Sequence, residues 1–294
     1  MATVAGDIAG SRASKAGRVS RLLSRGPLHA LMIVLSLLWI TPTFGLLVTS
    51  FRSQRDIAES GWWTVFGDPR QLTLQPYKEI LANEDLVQSI FNTIYITVPA
   101  SLLVVLIASL AAYAFAWMDF RGREPLFLIV VALLIVPLQM ALLPVSRLFG
   151  NVGIFGTVSA AIFFHVAFGL PFAIFLLRNF FIGIPGELLE AARIDGASEW
   201  KIFRTIILPL GMPAIASLLI FQFLWTWNDL LVALVMTSSD SIPITVAIQQ
   251  QLRTFGGNLD IIAPAAFLSM TIPLIVFFAF QRYFVQGLLA GSVK

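Results

Sequence analysis

The sequence predicts an all-α integral membrane protein with six transmembrane helices, and three observations predict it. Hydrophobic residues make up 58% of its 294 positions and charged residues 12%, against about 25% charged in a soluble domain. Mean hydropathy is +0.87. Six runs contain no Asp, Glu, Lys or Arg: 26–51, 86–118, 125–146, 148–177, 205–228 and 261–281. Each holds the roughly 20 apolar residues that a helix needs to cross the hydrocarbon. The runs are continuously apolar rather than alternating, which excludes barrel strands. So little polar surface cannot coat a soluble globule, so a soluble enzyme is excluded. The absence of cysteine excludes a disulfide framework, thiolate metal sites and a cysteine nucleophile. The two histidines, His29 and His165, lie in unrelated settings and make no metal set. A net charge of only +3 argues against nucleic acid.

Taken in order, residues 1–29 form a cytoplasmic tail. Its Ala-, Gly- and Ser-rich part, 1–17, reads as disordered. Arg18, Arg21 and Arg25 lie at helical spacing opposite Val19, Leu22 and Leu23. That pattern suits a short helix on the membrane surface, or a basic flank that only fixes topology. The first run is too long for a signal-peptide core and reads as an uncleaved span. The membrane domain covers 30–281, with spans near 30–50, 90–117, 125–144, 157–177, 208–235 and 263–281. Only Arg147 separates the third and fourth runs, where Pro144, Gly150, Asn151, Gly153 and Gly156 mark a turn. The outer loop 52–85 carries Trp62, Trp63 and Phe66, either an interfacial belt or a surface for an outside partner. A short tail, 282–294, closes the chain. With the N-terminus inside, thirteen Lys and Arg fall on the cytoplasmic side and six outside, which places both termini in the cytoplasm.

The segment between the fourth and fifth spans has helix grammar rather than linker grammar. Pro185 and Gly186 open it, and Glu187 puts acid in the first turn. Leu188, Leu189, Ala191, Ala192 and Ile194 give it an apolar, small-residue middle. Asp195-Gly196 breaks it, with Gly196 suited to a left-handed cap and Asp195 to a turn. Trp200, Phe203, Ile206 and Ile207 then mark a second amphipathic stretch before Pro209. The result is a cytoplasmic helix–turn–helix elbow over 183–207. Its small-residue face fits either a groove on another protein or its own membrane domain.

Glu190-Ala191-Ala192, Gly196 and Ile206-x-Leu208-Pro209 reproduce the EAA signature, EAA-x3-G-x9-I-x-L-P, at every defined position. The chain therefore resembles ATP-binding-cassette (ABC) importer permeases. The stretch 190–197, Trp227-Asn228-Asp229 and the end 281–294 resemble the carbohydrate-uptake branch. From residue 30 onward the likeness is to the smaller permease of maltose- and α-glucoside-type importers. The resemblance implies a type I ABC importer permease fold in a bacterial plasma membrane. It implies a second permease, two cytoplasmic ATP-binding subunits and an extracytoplasmic sugar-binding protein as partners. The elbow would be the coupling helix seated on an ATPase. There Glu190 would pair, Ala191 and Ala192 would allow close packing, and Asp195 and Gly196 would make the turn. Ile206, Leu208 and Pro209 would lead into the span, and residues 287–294 would also touch the ATPases. The chain would be a transporter subunit and not an enzyme. Its lysines, Lys15, Lys78, Lys201 and Lys294, are not followed by Ser or Thr, so no Walker A loop is present. It binds no cofactor of its own, and ATP and Mg belong to the partner subunits.

Polar groups in the spans are candidates for the translocation path, since charge and amide in lipid usually face a cavity or a neighbouring helix. Asp229 is the only formal charge expected near a span centre, with Trp225 and Asn228 beside it. An aromatic face with amide and carboxylate groups suits a sugar. Asn92, Tyr95, Gln139 and His165 could line the same path, or could be satisfied between helices. The outer loop 237–262 carries Arg253, Gly256, Gly257 and Asn258. In similar permeases that loop reaches the binding protein, and the simpler alternative is a plain loop. Among other functions, an intramembrane serine protease needs a G-x-S-G motif that is missing. A gradient-driven carrier leaves the EAA spacing unaccounted for. Amino acid, polyamine and phosphonate importers remain the alternative to sugar.

Overall fold

A computed structural model describes the backbone of residues 4–252 and 258–290, and the side chains of 27–252 and 258–281. The chain divides into two units, Met1–Pro76 and Tyr77–Lys294.

In the first unit, α1 (Val4–Thr49) is one helix with Pro27 and Pro42 inside it. This departs from the disorder expected over 1–17. Ala5, Ala9, Ala13 and Ala16 recur there at helical spacing, with Arg12 and Lys15 among them, and all are strong helix formers. Residues Pro27–Thr49 are long and apolar enough to span a membrane. Their apolar side chains from Leu28 to Ile40 are exposed, as lipid contact requires. α2 (Gln54–Glu59) follows, with Ser53 Oγ accepting from Asp56 N at 3.3 Å as its N-cap. Two 3₁₀ turns, Trp62–Phe66 and Pro69–Gln71, complete the unit. Arg52, 1% exposed, organises them. Its Nη2 donates to Asp56 O at 2.8 Å, Ser60 Oγ at 2.6 Å and Gln71 Oε1 at 2.9 Å. Trp62 packs edge-on against Phe44 at 5.9 Å, while Trp63 and Phe66 stay exposed.

The second unit begins in α3 (Gln75–Ala82) and is built on α4 (Glu84–Trp117). Asn83 caps α4, accepting from Leu86 N at 3.0 Å, and Glu84 and Asp85 suit its positive end. The helix therefore starts before the expected residue 90. Ala100, Ala108 and Ala112 are fully buried, and these small residues let neighbouring helices come close. α5 (Arg123–Leu133) and α6 (Leu138–Asn151) come next, then α7 (Val158–Ile182), the most extensive partner of α4. The elbow helices α8 (Gly186–Ile194) and α9 (Glu199–Ile202) lead through a π turn, Phe203–Ile207, into α10 (Leu208–Trp227). α11 (Leu231–Met236), α12 (Ile244–Leu252) and α13 (Leu259–Ala290) finish the chain. In this unit Glu84–Trp117, Val158–Ile182, Glu199–Trp227 and Leu259–Gln281 are long and apolar enough to span.

Two expected spans differ. The third, 125–144, is not one rod: α5 and α6 meet at 101° across a break before Pro137. Proline disfavours helix at the residue before it and cannot donate its own amide. The helix instead continues through Pro144, and the turn tightens to Val152–Thr157, where Gly153 and Gly156 take φ of +77° and +80°. The fifth, 208–235, stops at Trp227, because Asn228-Asp229 caps and breaks it. α13 carries the last span on to Ala290, past the residue 282 at which a tail was expected, and residues 291–294 lie outside the described residues.

Candidate functional site: the elbow and the polar groups of the spans

α8 begins with Gly186 against the ring of Trp117, where an added Cβ would lie 3.3 Å from Cζ3. Leu189 is fully buried in the core shared by α4, α7 and α10. Ala192 packs half-buried against the same core. Glu190 and Ala191 are exposed, and Ile194 is 86% exposed. The two alanines therefore divide: one seats the elbow on its own domain and the other faces out.

Gly196 takes a φ of +77°, a conformation that side chains with a Cβ avoid. Around it Ala197 N donates to Ala192 O and Gly196 N to Arg193 O, each at 3.0 Å. This pair of bonds is a Schellman cap. The turn thus closes through backbone groups, and the Asp195 side chain is exposed. Ser198 Oγ then accepts from Lys201 N at 3.4 Å to start α9. Phe203 and Ile207 are buried, Ile206 and Leu208 half-buried, and Trp200 and Pro209 exposed. In the π turn Leu208 N reaches back five residues to Phe203 O. Pro209 gives the cause, since it offers no N–H to Thr205 O four residues earlier and its ring crowds that carbonyl.

Three residues that the sequence did not single out meet at this elbow. Tyr113 Oη donates to Glu199 Oε2, and Arg193 Nε donates to Glu199 Oε1 at 2.9 Å. Arg193 Nη2 also reaches Trp117 O, the last carbonyl of α4, at 2.9 Å. The hydrogen bond to Glu199 holds the Arg193 guanidinium above its ordinary pKa. Tyr113 and Glu199 are 86 residues apart, and no local signal joins them. The one available hint was a tyrosine hydroxyl near the end of an apolar run, which needs a partner.

The predicted path residues do not form one cluster. His165, 4% exposed, and Asp229 do meet, with Nε2 at 3.7 Å from Oδ2. Asp229 is not at a span centre as expected. It sits at the break between α10 and α11, where Oδ2 accepts from Ala233 N at 3.0 Å and Oδ1 from Val232 N at 3.4 Å. Asp229 lies one residue before Leu230, the N-cap of α11, and its carboxylate takes two of the backbone amides that a helix start leaves without partners. Asn92 is buried and donates to Ile242 O at 3.1 Å and Asp240 O at 3.3 Å, tying α4 to the loop after α11. Thr93 Oγ1 accepts from Ile244 N at 2.8 Å beside it. Tyr95 is exposed and stacks on Phe91 at 6.4 Å. Gln139 is exposed in the first turn of α6. Trp225 is 56% exposed beside Phe221, whereas Trp227 is buried, its Nε1 3.4 Å from Ser269 Oγ. Asn228 is exposed and donates to Leu224 O at 2.8 Å.

Of the outer-loop candidates, Arg253, Gly256 and Gly257 lie outside the described residues. Asn258 Nδ2 donates to Gln251 Oε1 at 3.0 Å. Nearby, Gly156 O accepts from Ser238 Oγ at 2.7 Å and Ser241 Oγ at 2.8 Å, which fastens the loop before α7 to the loop after α11.

Comparison with known proteins gives this geometry a family. The chain is 44% identical over 289 residues to the "Osmoprotective compounds uptake permease protein GgtD" of Synechocystis sp., covering 97% of both chains. It is 50% identical over 233 residues to the "Alpha-glucoside transport system permease protein AglG" of Rhizobium meliloti, covering 77% of this chain and 61% of that one. The fold is shared with a chain of a bacterial ABC transporter involved in the import of the acidic polysaccharide alginate. That match has a TM-score of 0.76 at 21% identity and covers 91% of this chain and 98% of the other. Residues 104–289, which include the elbow and its π turn, match the family described as "Binding-protein-dependent transport system inner membrane component". The chain belongs to that family of membrane permease components and has the fold of an ABC importer permease.

Proposed function

We infer that the protein is one of two permease subunits of an ATP-driven importer for a small sugar or oligosaccharide of the α-glucoside class. The observation that carries the reading is the elbow: a capped helix whose outer face, Glu190, Ala191 and Ile194, is left uncovered by the described residues. That face would seat in a cleft on a cytoplasmic ATP-binding subunit, with ATP and Mg held entirely by the two copies of that partner. Closure of the ATPases would swing the elbow and rock the spans between outward- and inward-open states, a rigid-body transition. An extracytoplasmic binding protein would deliver sugar on the side of the 237–262 loop. Both termini would lie in the cytoplasm of a bacterial cell. The α-glucoside permease relative, 50% identical, supports the substrate class. The osmoprotectant relative covers more of the chain, 97% against 77%, and favours a second reading in which the solute is an osmoprotective compound.

The test is uptake by proteoliposomes holding this chain, the second permease and the ATPase, with the binding protein outside. Maltose, trehalose, sucrose and glycine betaine are the probes. ATP-dependent uptake of any of the three sugars, abolished by deleting 186–196, is the expected result. Uptake of betaine alone would replace the sugar reading with the second one. Full uptake without ATP would overturn both.

A further inference from the structure

Glu199 is shared between the elbow and a membrane helix. Its Oε1 accepts from Arg193 Nε at 2.9 Å, and its Oε2 accepts from Arg193 Nη2 at 3.3 Å and from Tyr113 Oη. Arg193 lies in the last turn of α8 and Glu199 opens α9, so one ion pair bridges the two arms of the elbow. Both arms are then tied to the last turn of α4: Glu199 to the Tyr113 side chain, and Arg193 to the Trp117 carbonyl at 2.9 Å. That carbonyl is one of the orphans at a helix C-terminus, and a guanidinium is its natural partner. α7 joins the same node, because Trp117 Nε1 donates to Phe181 O at 2.9 Å.

The elbow does not need these bonds merely to stay docked. Leu189, Ile202 and Phe203 are already buried in the core, and Phe203 lies 5.4 Å from the Tyr113 ring. Apolar anchors are non-directional and let a short helix roll. Charge-assisted hydrogen bonds to a carboxylate and a carbonyl have a fixed geometry and resist rolling. Glu190, Ala191 and Ile194 meanwhile remain exposed, free of the network. A push on that face reaches α4 and α7 through directional bonds as well as through the chain into α10.

We propose that the Tyr113–Glu199–Arg193 network is the joint that carries elbow movement into the C-terminal end of α4. The three residues are positioning residues for coupling. The proposal rests on the reading of the chain as an ATP-driven importer permease. Its test uses the complete complex in proteoliposomes and whichever of maltose, trehalose and sucrose the wild type takes up. Tyr113→Phe removes one oxygen atom from a residue outside the docking face. It is expected to leave basal ATP hydrolysis unchanged and to lower sugar moved per ATP about tenfold, the scale of losing one charge-assisted hydrogen bond. Glu199→Gln should do the same, and Arg193→Lys should retain part of the coupling. Because the chain has no cysteine, a readout independent of sugar is available. Spin labels at Lys201→Cys, exposed on α9 away from the docking face, and at Leu106→Cys should hold one narrow distance through the ATP cycle in the wild-type background and a broad one with Tyr113→Phe. Unchanged sugar per ATP together with an unchanged distance distribution overturns the joint. So does a parallel fall of ATPase and uptake at constant ratio, which is what a purely structural role gives. A wild-type complex that hydrolyses ATP but moves none of the sugars overturns the substrate reading instead, and the spin-label result still decides the joint.

Discussion

At Gly196 space is not the constraint, because an added Cβ would meet nothing within 4 Å. The constraint is the backbone, at φ +77°. Gly196→Val should therefore cost about 1–2 kcal/mol through the left-handed conformation alone. The melting temperature of the purified complex should fall, and less ATPase subunit should co-purify. Gly150 is the matched control: it too has open space, but it lies inside α6 with ordinary helical geometry. Gly150→Ala should raise stability by roughly 0.5–1 kcal/mol, since only chain entropy changes. Equal melting shifts for the two substitutions would refute the cap. Gly196 was legible in the sequence because Asp-Gly after a helical pattern points to one local geometry. Asp229 was not. An Asp-containing break inside an otherwise apolar run has the same composition as a charge inside a span, and only the amides of Val232 and Ala233 tell them apart. His165 could be noted as buried and polar, but its approach to Asp229 depends on how α7 packs. Tyr113 and Glu199 show the same limit more sharply, since their contact is made by tertiary structure alone.

The π turn is the element most directly open to test. Pro209→Ala supplies an N–H to Thr205 O and removes the ring that crowds it. The turn can then tighten to α geometry, which rotates α9 relative to α10 by about 100°, one residue of helical phase. The expected outcome is slower hydrogen exchange across Thr205–Leu208 and a large loss of uptake with the ATPase still bound. Uptake at the wild-type rate would show that the wide turn is incidental. The elbow itself was readable because its periodicity, its opening proline and its breaking glycine agree. The π turn was not, since one extra residue in a helical turn leaves the apolar pattern nearly intact. The α5–α6 break had a visible signal in Pro137. Counting uncharged residues passes over it, because proline interrupts a helix without interrupting hydropathy. Length, by contrast, identified the remaining long helices of the second unit, with ends that shifted wherever a cap such as Asn83 or Asn228 lay inside the apolar run.

Across the second unit, the two polar regions are held at opposite ends of α4. Asn92 and Thr93 bind the loop at Asp240–Ile244, and Tyr113 and Trp117 bind the elbow. The twenty residues from Thr93 to Tyr113 rise about 30 Å, the thickness of a bilayer's hydrocarbon core. α10, also twenty residues long, makes the same crossing between the elbow and Asp229. The elbow and the 237–243 loop should therefore face opposite sides of the membrane, with the elbow, which holds Arg193, Lys201 and Arg204 where the loop has no Lys or Arg, in the cytoplasm. The absence of cysteine makes the test direct. Ser239→Cys, in an exposed loop, should react with a membrane-impermeant maleimide added to spheroplasts. Ile194→Cys, at the outermost point of the elbow, should react only in inside-out vesicles, and binding of the ATPase subunit should protect it. Labelling of both positions from one side would mean that α10 does not cross. The lever reading would then fail, because the part that is pushed and the part that opens would share one face of the bilayer.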